Sequence, residues 1–213
     1  MSIQQIVIAL IVGYLFGNIP NGYLYARSQG VDIFKVGSGN PGSTNVTRAL
    51  GKKAGFTVLL MDIAKTVIPV LLLHLLWKPG QDTTTLLVMY TGFGAILGHT
   101  FTFLPHLRGG KGVACTGALI IMFDWRVAIV LLLLLILIVL VTGYVSLGSM
   151  IGESCFFLLI LLFGRSGYLP VTESSYLTCC VLSFLMALLC IYQHRSNIQR
   201  LMNGTENKFT KKK

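Results

Sequence analysis

The sequence is poor in charged residues, and this scarcity decides its class. Only 11% of its 213 residues are charged, seven of them acidic, whereas 54% are hydrophobic, and the mean hydropathy is +0.76. A water-soluble domain needs a polar outer face, so this composition excludes one and places the chain in a membrane. Because a spanning helix takes about 20 apolar residues, we expect a single integral-membrane domain over residues 1–213.

Several common catalytic signatures are also missing. The five cysteines show no CxxC or Cys/His ligand spacing, so they are interpreted as small apolar residues within helices. The sequence has no GxSxG nucleophile elbow and no HxxxxD pair, which disfavours an acyl-enzyme mechanism. No cluster of metal ligands stands out either, so we expect neither a metal nor a cofactor. The apolar run Ile6–Phe16 lacks a basic n-region and is expected to be a retained membrane helix.

Apolar runs bounded by turn or charge signals predict an all-α, polytopic bundle of about seven transmembrane helices. Five of the runs are long enough for a full crossing, whereas the fourth and the sixth are short and could be tilted or re-entrant. The seven predicted spans are Ile3–Ala26, Ala54–Trp77, Thr84–Leu104, Val113–Asp124, Val127–Tyr144, Met150–Phe163 and Tyr176–Gln193.

The net charge of +10 is spread over alternate loops, which does not favour nucleic acid as a partner. With seven spans, one side keeps only Lys78, Arg126 and Arg165, and the positive-inside rule then predicts an external N-terminus and a cytoplasmic C-terminus. The basic end, Lys208–Lys213, is expected to contact anionic membrane lipids. Thirteen basic residues fall on the predicted cytoplasmic side: Arg27, Lys35, Arg48, Lys52, Lys53, Arg108, Lys111, Arg195, Arg200, Lys208 and Lys211–Lys213.

The most informative stretch is Gly37–Arg48, with the sequence GSGNPGSTNVTR. Its glycines permit tight turns that expose successive N–H groups, and such a nest attracts anions. Ser43 or Thr44 could cap a short helix whose N-terminus adds partial positive charge, and Arg48 could hold a phosphate with two hydrogen bonds. The alternative is a plain loop between two membrane helices, but the arginine favours an anion site.

A second glycine-rich turn, Gly109-Gly110-Lys111-Gly112, enters the fourth predicted span. It presents backbone donors beside a fixed cation. It is not a Walker A loop, because the earlier glycine is missing and no Ser or Thr follows the lysine, so ATP is not implied. A basic cytoplasmic loop of no special function is the alternative.

A third polar segment follows the last span. His194 and Asn197 are three residues apart and would share one face of a helix at the cytoplasmic end of that span. On spacing alone, an interfacial amphipathic helix is the favoured interpretation.

Other features lie inside the spans. Asp62 and Lys65 are three residues apart on the second span, so a structural ion pair is at least as well supported as a catalytic role. His99 precedes the second glycine-rich turn and is expected to position a loop. Gly13 and Gly17 predict a close helix-packing face.

These segments resemble the three cytoplasmic motifs of the acyl-phosphate-dependent glycerol-3-phosphate acyltransferases, the PlsY family. The resemblance implies a membrane enzyme of seven helices that transfers a fatty acyl group from acyl phosphate to the 1-hydroxyl of glycerol 3-phosphate. Lysophosphatidic acid and phosphate would be the products, in the first step of bacterial phospholipid synthesis. The matching segments are Gly17–Gly22, Gly37–Gly51, Asp62 with Lys65, Gly98-His99 with Gly109–Ala114, and His194–Glu206.

The resemblance also implies site residues, in an active site that faces the cytoplasm from the bacterial inner membrane. Glu206 matches a family position that is interpreted as structural. Either His194 or a substrate phosphate could act as the base. The implied catalytic residues are Ser38, Arg48, Lys111, His194 and Asn197. The expected substrate-binding residues are Gly37, Gly39, Asn40, Gly42, Thr44, Asn45, Gly109, Gly110 and Gly112.

Two other classes fit the composition. A transporter or channel for an organic phosphate would have polar or broken helices at the membrane midplane, whereas the polar groups here cluster at one predicted surface. A non-catalytic membrane scaffold would not need two glycine-rich anion sites. The sequence therefore favours an enzyme.

Overall fold

The computed structural model describes residues 1–104 and 108–209, and the chain within those ranges is helical without a strand. The prediction of an all-α protein is confirmed. A short 3₁₀ helix, Ile33–Lys35, precedes the third α-helix; Leu107 and Lys211–Lys213 lie outside the described residues. The described α-helices are α1 (Ile3–Gly17), α2 (Asn21–Ser28), α3 (Ser43–Leu50), α4 (Lys52–Trp77), α5 (Gln81–Thr100), α6 (Val113–Phe123), α7 (Trp125–Thr142), α8 (Val145–Phe163), α9 (Glu173–Gln193) and α10 (Arg195–Met202).

Six of the seven predicted spans each fall on one helix, and the first falls on two, α1 and α2. Five segments of the described chain are long and apolar enough to cross a membrane, namely Ile3–Ser28, α4, α7, α8 and α9. The sixth predicted span was expected to be short, but α8 begins at Val145 rather than Met150 and reaches 19 residues. The fourth is the 11-residue α6. The protein is therefore a multi-pass membrane protein, and the external N-terminus stays a prediction.

The first predicted span is broken rather than continuous. Helix α1 ends at Gly17 and α2 begins at Asn21, because Pro20 lacks an N–H and its ring disfavours a helical residue before it. The Asn18 side chain braces the break: its amide donates to the Tyr14 carbonyl over 2.9 Å, and its Oδ1 accepts from the Phe103 backbone N–H over 2.9 Å.

The chain forms two compact units, Met1–Met122 and Phe123–Lys213. In the first unit, α1 packs on α5 with the two backbones in direct contact. A Cβ added at Gly13 would collide with the Thr91 carbonyl oxygen, and one at Gly17 with that of Ala95. The close-packing face predicted from these glycines is confirmed, because only a residue without Cβ allows this approach.

Helix α5 is the most enclosed helix of the first unit, with 11 of its 20 residues buried. It is not among the five segments that are apolar enough to span a membrane, although its length had supported that prediction. Its threonines and glycines explain the difference, since a helix that faces protein on most sides does not need the apolar surface that lipid demands.

The second unit contains α7–α10. Helix α7 exposes apolar side chains such as Leu140 and Val141, 78% and 77% accessible, as a lipid-facing helix does. Helices α8 and α9 pack through Phe157 and Phe184, whose ring centroids lie 5.2 Å apart. The segment after α10 returns to the α7–α8 turn, where the Phe209 N–H donates to the Gly143 carbonyl over 2.8 Å. A single domain over residues 1–213 stays a prediction.

Candidate active site

The two glycine-rich runs meet at a narrow cleft in the first unit. Pro41 represents the first run, and Gly109 and Gly110 represent the second; the break between α1 and α2 forms another wall, and Lys65 and His99 also line the cleft. The cleft therefore gathers backbone turns, a cation and an imidazole from five separate parts of the sequence.

The first run has the backbone conformation that its glycines predict. Gly37 and Gly39 take positive φ values of 60° and 67°, which other residues rarely adopt. The Asn45 side chain holds the loop in this shape: its Oδ1 accepts from the Ser38 N–H over 2.9 Å, and its amide donates to the Val36 carbonyl over 2.9 Å. Asn45 is 2% exposed, so its contribution to an anion site is to shape the loop from below.

The N-cap of helix α3 lies before both residues that the sequence suggested for it. Gly42 occupies the N-cap position, and no side chain caps the helix there, so neither Ser43 nor Thr44 has the predicted capping role. The Asn40 Oδ1 accepts from the Gly42 N–H over 2.9 Å and fixes the approach to the helix. The Asn45 N–H in the first turn of α3 already donates to the Gly42 carbonyl over 3.0 Å, so the amides of Ser43 and Thr44 are the ones that this helix end can offer to an anion.

The two predicted cations of the first unit end up in different surroundings. Arg48 lies in the last turn of α3 with an exposed side chain, and Lys111 is half-buried beside Gly112. Gly112 has a φ of 86° and its carbonyl accepts from the Thr116 N–H over 2.8 Å, so it turns the chain directly into α6. Lys111 therefore lies just before the N-terminus of α6.

His194 lies in the second unit, at the junction between α9 and α10. It is 3% exposed, and its Nδ1 lies 2.8 Å from the Cys190 carbonyl oxygen. Because a carbonyl only accepts, Nδ1 carries the hydrogen, and Nε2 is the accepting nitrogen of the neutral ring. When the ring is neutral, Nε2 is therefore its basic atom.

Asn197, on α10, is tied to a residue beyond that helix. Its amide donates to the Glu206 Oε1 over 2.6 Å. The same carboxylate accepts from the Ser146 hydroxyl over 3.0 Å and from the Arg200 guanidinium over 2.7 Å. Burial raises the pKa of Glu206, but the hydrogen bonds from these three side chains and the charge of Arg200 outweigh it and hold the pKa below its ordinary value.

Sequence reasoning missed part of this arrangement. Ser146 had no assigned role, and its separation of 60 positions from Glu206 leaves no local signal of the contact. The structural role suggested for Glu206 agrees with its three hydrogen bonds. The predicted approach of His194 to Ser38, Arg48 and Lys111 stays a prediction, because these residues belong to different units.

Known proteins resemble this chain along nearly its whole length. The profile of the family described as glycerol-3-phosphate acyltransferase matches residues 7–204. A glycerol-3-phosphate acyltransferase of Thermus thermophilus is 40% identical over 199 residues, which cover 93% of this chain and 92% of the relative. One of Clostridioides difficile (strain 630) is 38% identical with full coverage of both chains.

Solved structures show the same likeness. The crystal structure of PlsY (YgiH), an integral membrane glycerol 3-phosphate acyltransferase, in its glycerol 3-phosphate form has a TM-score of 0.82 at 36% identity and covers 96% of each chain. Its lysophosphatidic acid form has a TM-score of 0.79 at 35% identity and covers 95% of this chain and 94% of that one.

Proposed function

The chain belongs to the glycerol-3-phosphate acyltransferase family, and from that premise we propose that it acylates the 1-hydroxyl of glycerol 3-phosphate with acyl phosphate as donor. The products are lysophosphatidic acid and inorganic phosphate, and the reaction is the first step of bacterial phospholipid synthesis. The observation that carries the proposal is the cleft of the first unit, where Pro41 of one glycine-rich run lies with Gly109 and Gly110 of the other. Two anion-binding turns suit a reaction between two phosphate-bearing substrates.

The proposed reaction is a direct acyl transfer. The 1-oxygen of glycerol 3-phosphate forms a bond to the acyl carbonyl carbon, the bond from that carbon to the phosphate oxygen breaks, and the hydroxyl proton passes to a base. Phosphate is a good leaving group, so no nucleophile of the protein is needed. Catalysis then consists of positioning the substrates and stabilising negative charge.

The residues of the first unit supply the electrostatic part. Ser38 binds a phosphate oxygen through its hydroxyl, since the N–H groups of Ser38, Gly39 and Gly42 already donate within the loop. Arg48 and Lys111 neutralise the charge that builds on the carbonyl oxygen and on the departing phosphate. The internal hydrogen bonds of Asn45 support this assignment, because a preorganised loop does not have to be ordered by the substrate.

His194 takes the proton of the attacking hydroxyl in this proposal. Its Nδ1 donates to the Cys190 carbonyl, which leaves Nε2 as the basic nitrogen of the ring, and Asn197 orients the reacting groups. A phosphate oxygen of a substrate is the alternative acceptor for the same proton. With that acceptor, His194 contributes binding only.

The membrane scaffold suits the donor. The charged ends of both substrates bind at the cytoplasmic face of the bacterial inner membrane, in keeping with the positive-inside pattern of the loops. The acyl chain lies between the apolar helices and membrane lipids. This arrangement explains why a reaction between two charged headgroups is assigned to a protein with so little polar surface.

Purified protein in detergent tests the proposal. Incubation with acyl phosphate and glycerol 3-phosphate should release phosphate and form lysophosphatidic acid, with both signals absent when either substrate is left out. Equal rates with acyl-CoA as donor would contradict the proposed donor. Phosphate release without glycerol 3-phosphate would indicate a hydrolase instead.

A further inference from the structure

A buried lysine in the first unit has each of its three N–H groups matched by an acceptor. The Lys65 Nζ lies 3.0 Å from the Asp62 Oδ1, 2.9 Å from the Ile19 carbonyl oxygen and 2.7 Å from the His99 Nδ1. The side chains of Lys65 and Asp62 are 3% and 2% exposed, so the ion pair predicted from their spacing is present and buried. An ammonium with three acceptors is fully used by the protein.

These contacts fix the state of His99. Its Nδ1 accepts from an ammonium, so the ring is neutral with its hydrogen on Nε2. The Asp62 carboxylate also accepts from the Asn21 amide over 3.0 Å and balances the lysine charge in the interior, as a buried charge requires. The imidazole is therefore held in one orientation by Lys65 and Asp62.

The outer edge of this ring contacts the second glycine-rich turn. A Cβ added at Gly110 would collide with the His99 Nε2, whereas one at Gly109 would collide with the backbone carbonyl oxygens of Thr100 and His99. The Gly110 N–H also donates to the His99 carbonyl over 2.9 Å. The turn thus rests on the end of α5, with Gly109 against backbone and Gly110 against the imidazole.

We propose that His99 is a positioning residue that fixes the Gly109–Gly110 turn, and through it the adjacent Lys111, at the height required to bind an anionic substrate. Lys65 and Asp62 contribute by locking the ring, and none of the three touches substrate in this role. The inference rests on the proposed function, because that function assigns Lys111 to a phosphate. The inference also gives the buried ion pair of Lys65 and Asp62 a role, because the position of Lys111 depends on the His99 ring that this pair holds.

An exchange of side-chain size between positions 99 and 110 tests the inference. Gly110→Ala should raise the KM for glycerol 3-phosphate on the order of tenfold or more, with a smaller change in kcat, because the displaced turn misplaces Lys111. His99→Asn keeps an acceptor for Lys65 near the place of Nδ1 but removes the outer half of the ring. The double variant Gly110→Ala/His99→Asn should therefore recover most of the lost affinity.

Two matched controls sharpen the result. The glutamine side chain in His99→Gln reaches about as far as the histidine Nε2, so this variant should not reverse the rise in KM caused by Gly110→Ala. Gly109→Ala collides with backbone atoms, so His99→Asn should not relieve it. Losses in KM that simply add in the Gly110→Ala/His99→Asn variant would overturn the inference, since contacting residues are expected to couple.

The unfolding temperature of the same purified variants gives a readout that does not depend on acyl transfer. Gly110→Ala should lower it, and His99→Asn should restore it in the double variant. A protein without transfer activity but with this restored temperature refutes the proposed function and leaves the His99–Gly110 contact supported. Restored temperature without restored KM, in an active protein, refutes the positioning role.

Discussion

Asn197 and Glu206 form a buried hydrogen bond of 2.6 Å from the side-chain amide to the carboxylate. The carboxylate of Glu206 also binds Ser146, at the start of α8, and Arg200. One acidic side chain therefore joins α8, α10 and the segment that follows α10. The orientation of Asn197, a proposed catalytic residue, depends on a group that has no proposed contact with substrate.

The first prediction concerns the Glu206 carboxylate itself. Glu206→Gln replaces a carboxylate that accepts three hydrogen bonds with an amide whose NH₂ end can only donate. We therefore expect a loss of about 2–3 kcal/mol in the free energy of unfolding. Activity should fall more than tenfold as Asn197 loses its orientation. Ser146→Ala, which removes one of the three bonds, should cost less by both measures. Denaturation and acyl-transfer assays on wild type and the two variants test this prediction. Wild-type stability and activity in Glu206→Gln would contradict it.

The second prediction is the pH dependence of the same cluster. The folded-state pKa of Glu206 lies below its ordinary value of 4.5, so the charged group stabilises the fold above pH 4.5. This contribution is lost as pH falls through the folded-state pKa. The difference in unfolding temperature between wild type and Glu206→Gln should therefore be constant near neutrality and shrink below pH 4.5. A difference that grows on acidification would show the opposite sign of shift.

The third prediction separates the site cations from other basic residues. Lys111→Ala or Arg48→Ala should reduce acyl transfer by about 100-fold or more in protein that still folds, as the unfolding transition of each variant would show. Lys35→Ala is the control, since Lys35 ends the short 3₁₀ helix of the first unit, is 83% exposed and pairs with Asp32 at the surface. Rates near wild type in either site variant would remove that residue from the reaction.

The fourth prediction concerns the loop that carries Ser38. Asn45→Ala removes the acceptor of the Ser38 N–H and the donor to the Val36 carbonyl, and should destabilise the protein by about 2–3 kcal/mol. Asn45→Asp keeps the acceptor alone and should lie between Asn45→Ala and wild type in KM for glycerol 3-phosphate. Thr57→Ala, which removes an exposed bond on α4, is the control. Equal KM values in all four proteins would show that the loop keeps its shape without Asn45.

The fifth prediction addresses the α1–α5 contact. Gly13→Ala forces a methyl group against the Thr91 carbonyl, and we expect it to cost about 1–3 kcal/mol or to prevent folding. Gly117→Ala in α6, where the added Cβ meets nothing within 4 Å, should instead stabilise its helix by about 0.5–1 kcal/mol. Unfolding temperatures of the two variants provide the comparison, and a tolerated Gly13→Ala would mean that the helices separate easily.

Local patterns in the sequence were enough for the elements and for contacts within one helix or one helix face. Apolar runs predicted the long membrane helices, although not the break between α1 and α2, and the three-residue spacing of Asp62 and Lys65 predicted their ion pair. The glycines of α1 indicated close packing. The predicted cap at Ser43 or Thr44 failed because Gly42 already has the extended backbone of a cap residue, with φ −70° and ψ 159°.

Contacts between distant segments were out of reach of such patterns. The place of His99 ahead of the glycine-rich turn predicted that it positions a loop, but not that its ring contacts Gly110. Nothing near Ser146 points to Glu206, because both contacts depend on how helices pack. The Asn45 side chain looked like one more polar group for a ligand, whereas its bonds to Ser38 and Val36 serve the loop. Polarity alone does not distinguish a group that binds substrate from one that holds the binder in place.

The glycine-lined contact of α1 with α5 also bears on how the protein is made. Helix α5 is not among the five segments apolar enough to span a membrane. Its own Gly94 and Gly98 lie against the Leu10 and Tyr14 carbonyl oxygens of α1, where an added Cβ would collide. Helix α1 is synthesised first, so the partner is already in the bilayer when α5 leaves the ribosome. The order of the chain thus provides α1 as a packing partner before α5 is synthesised.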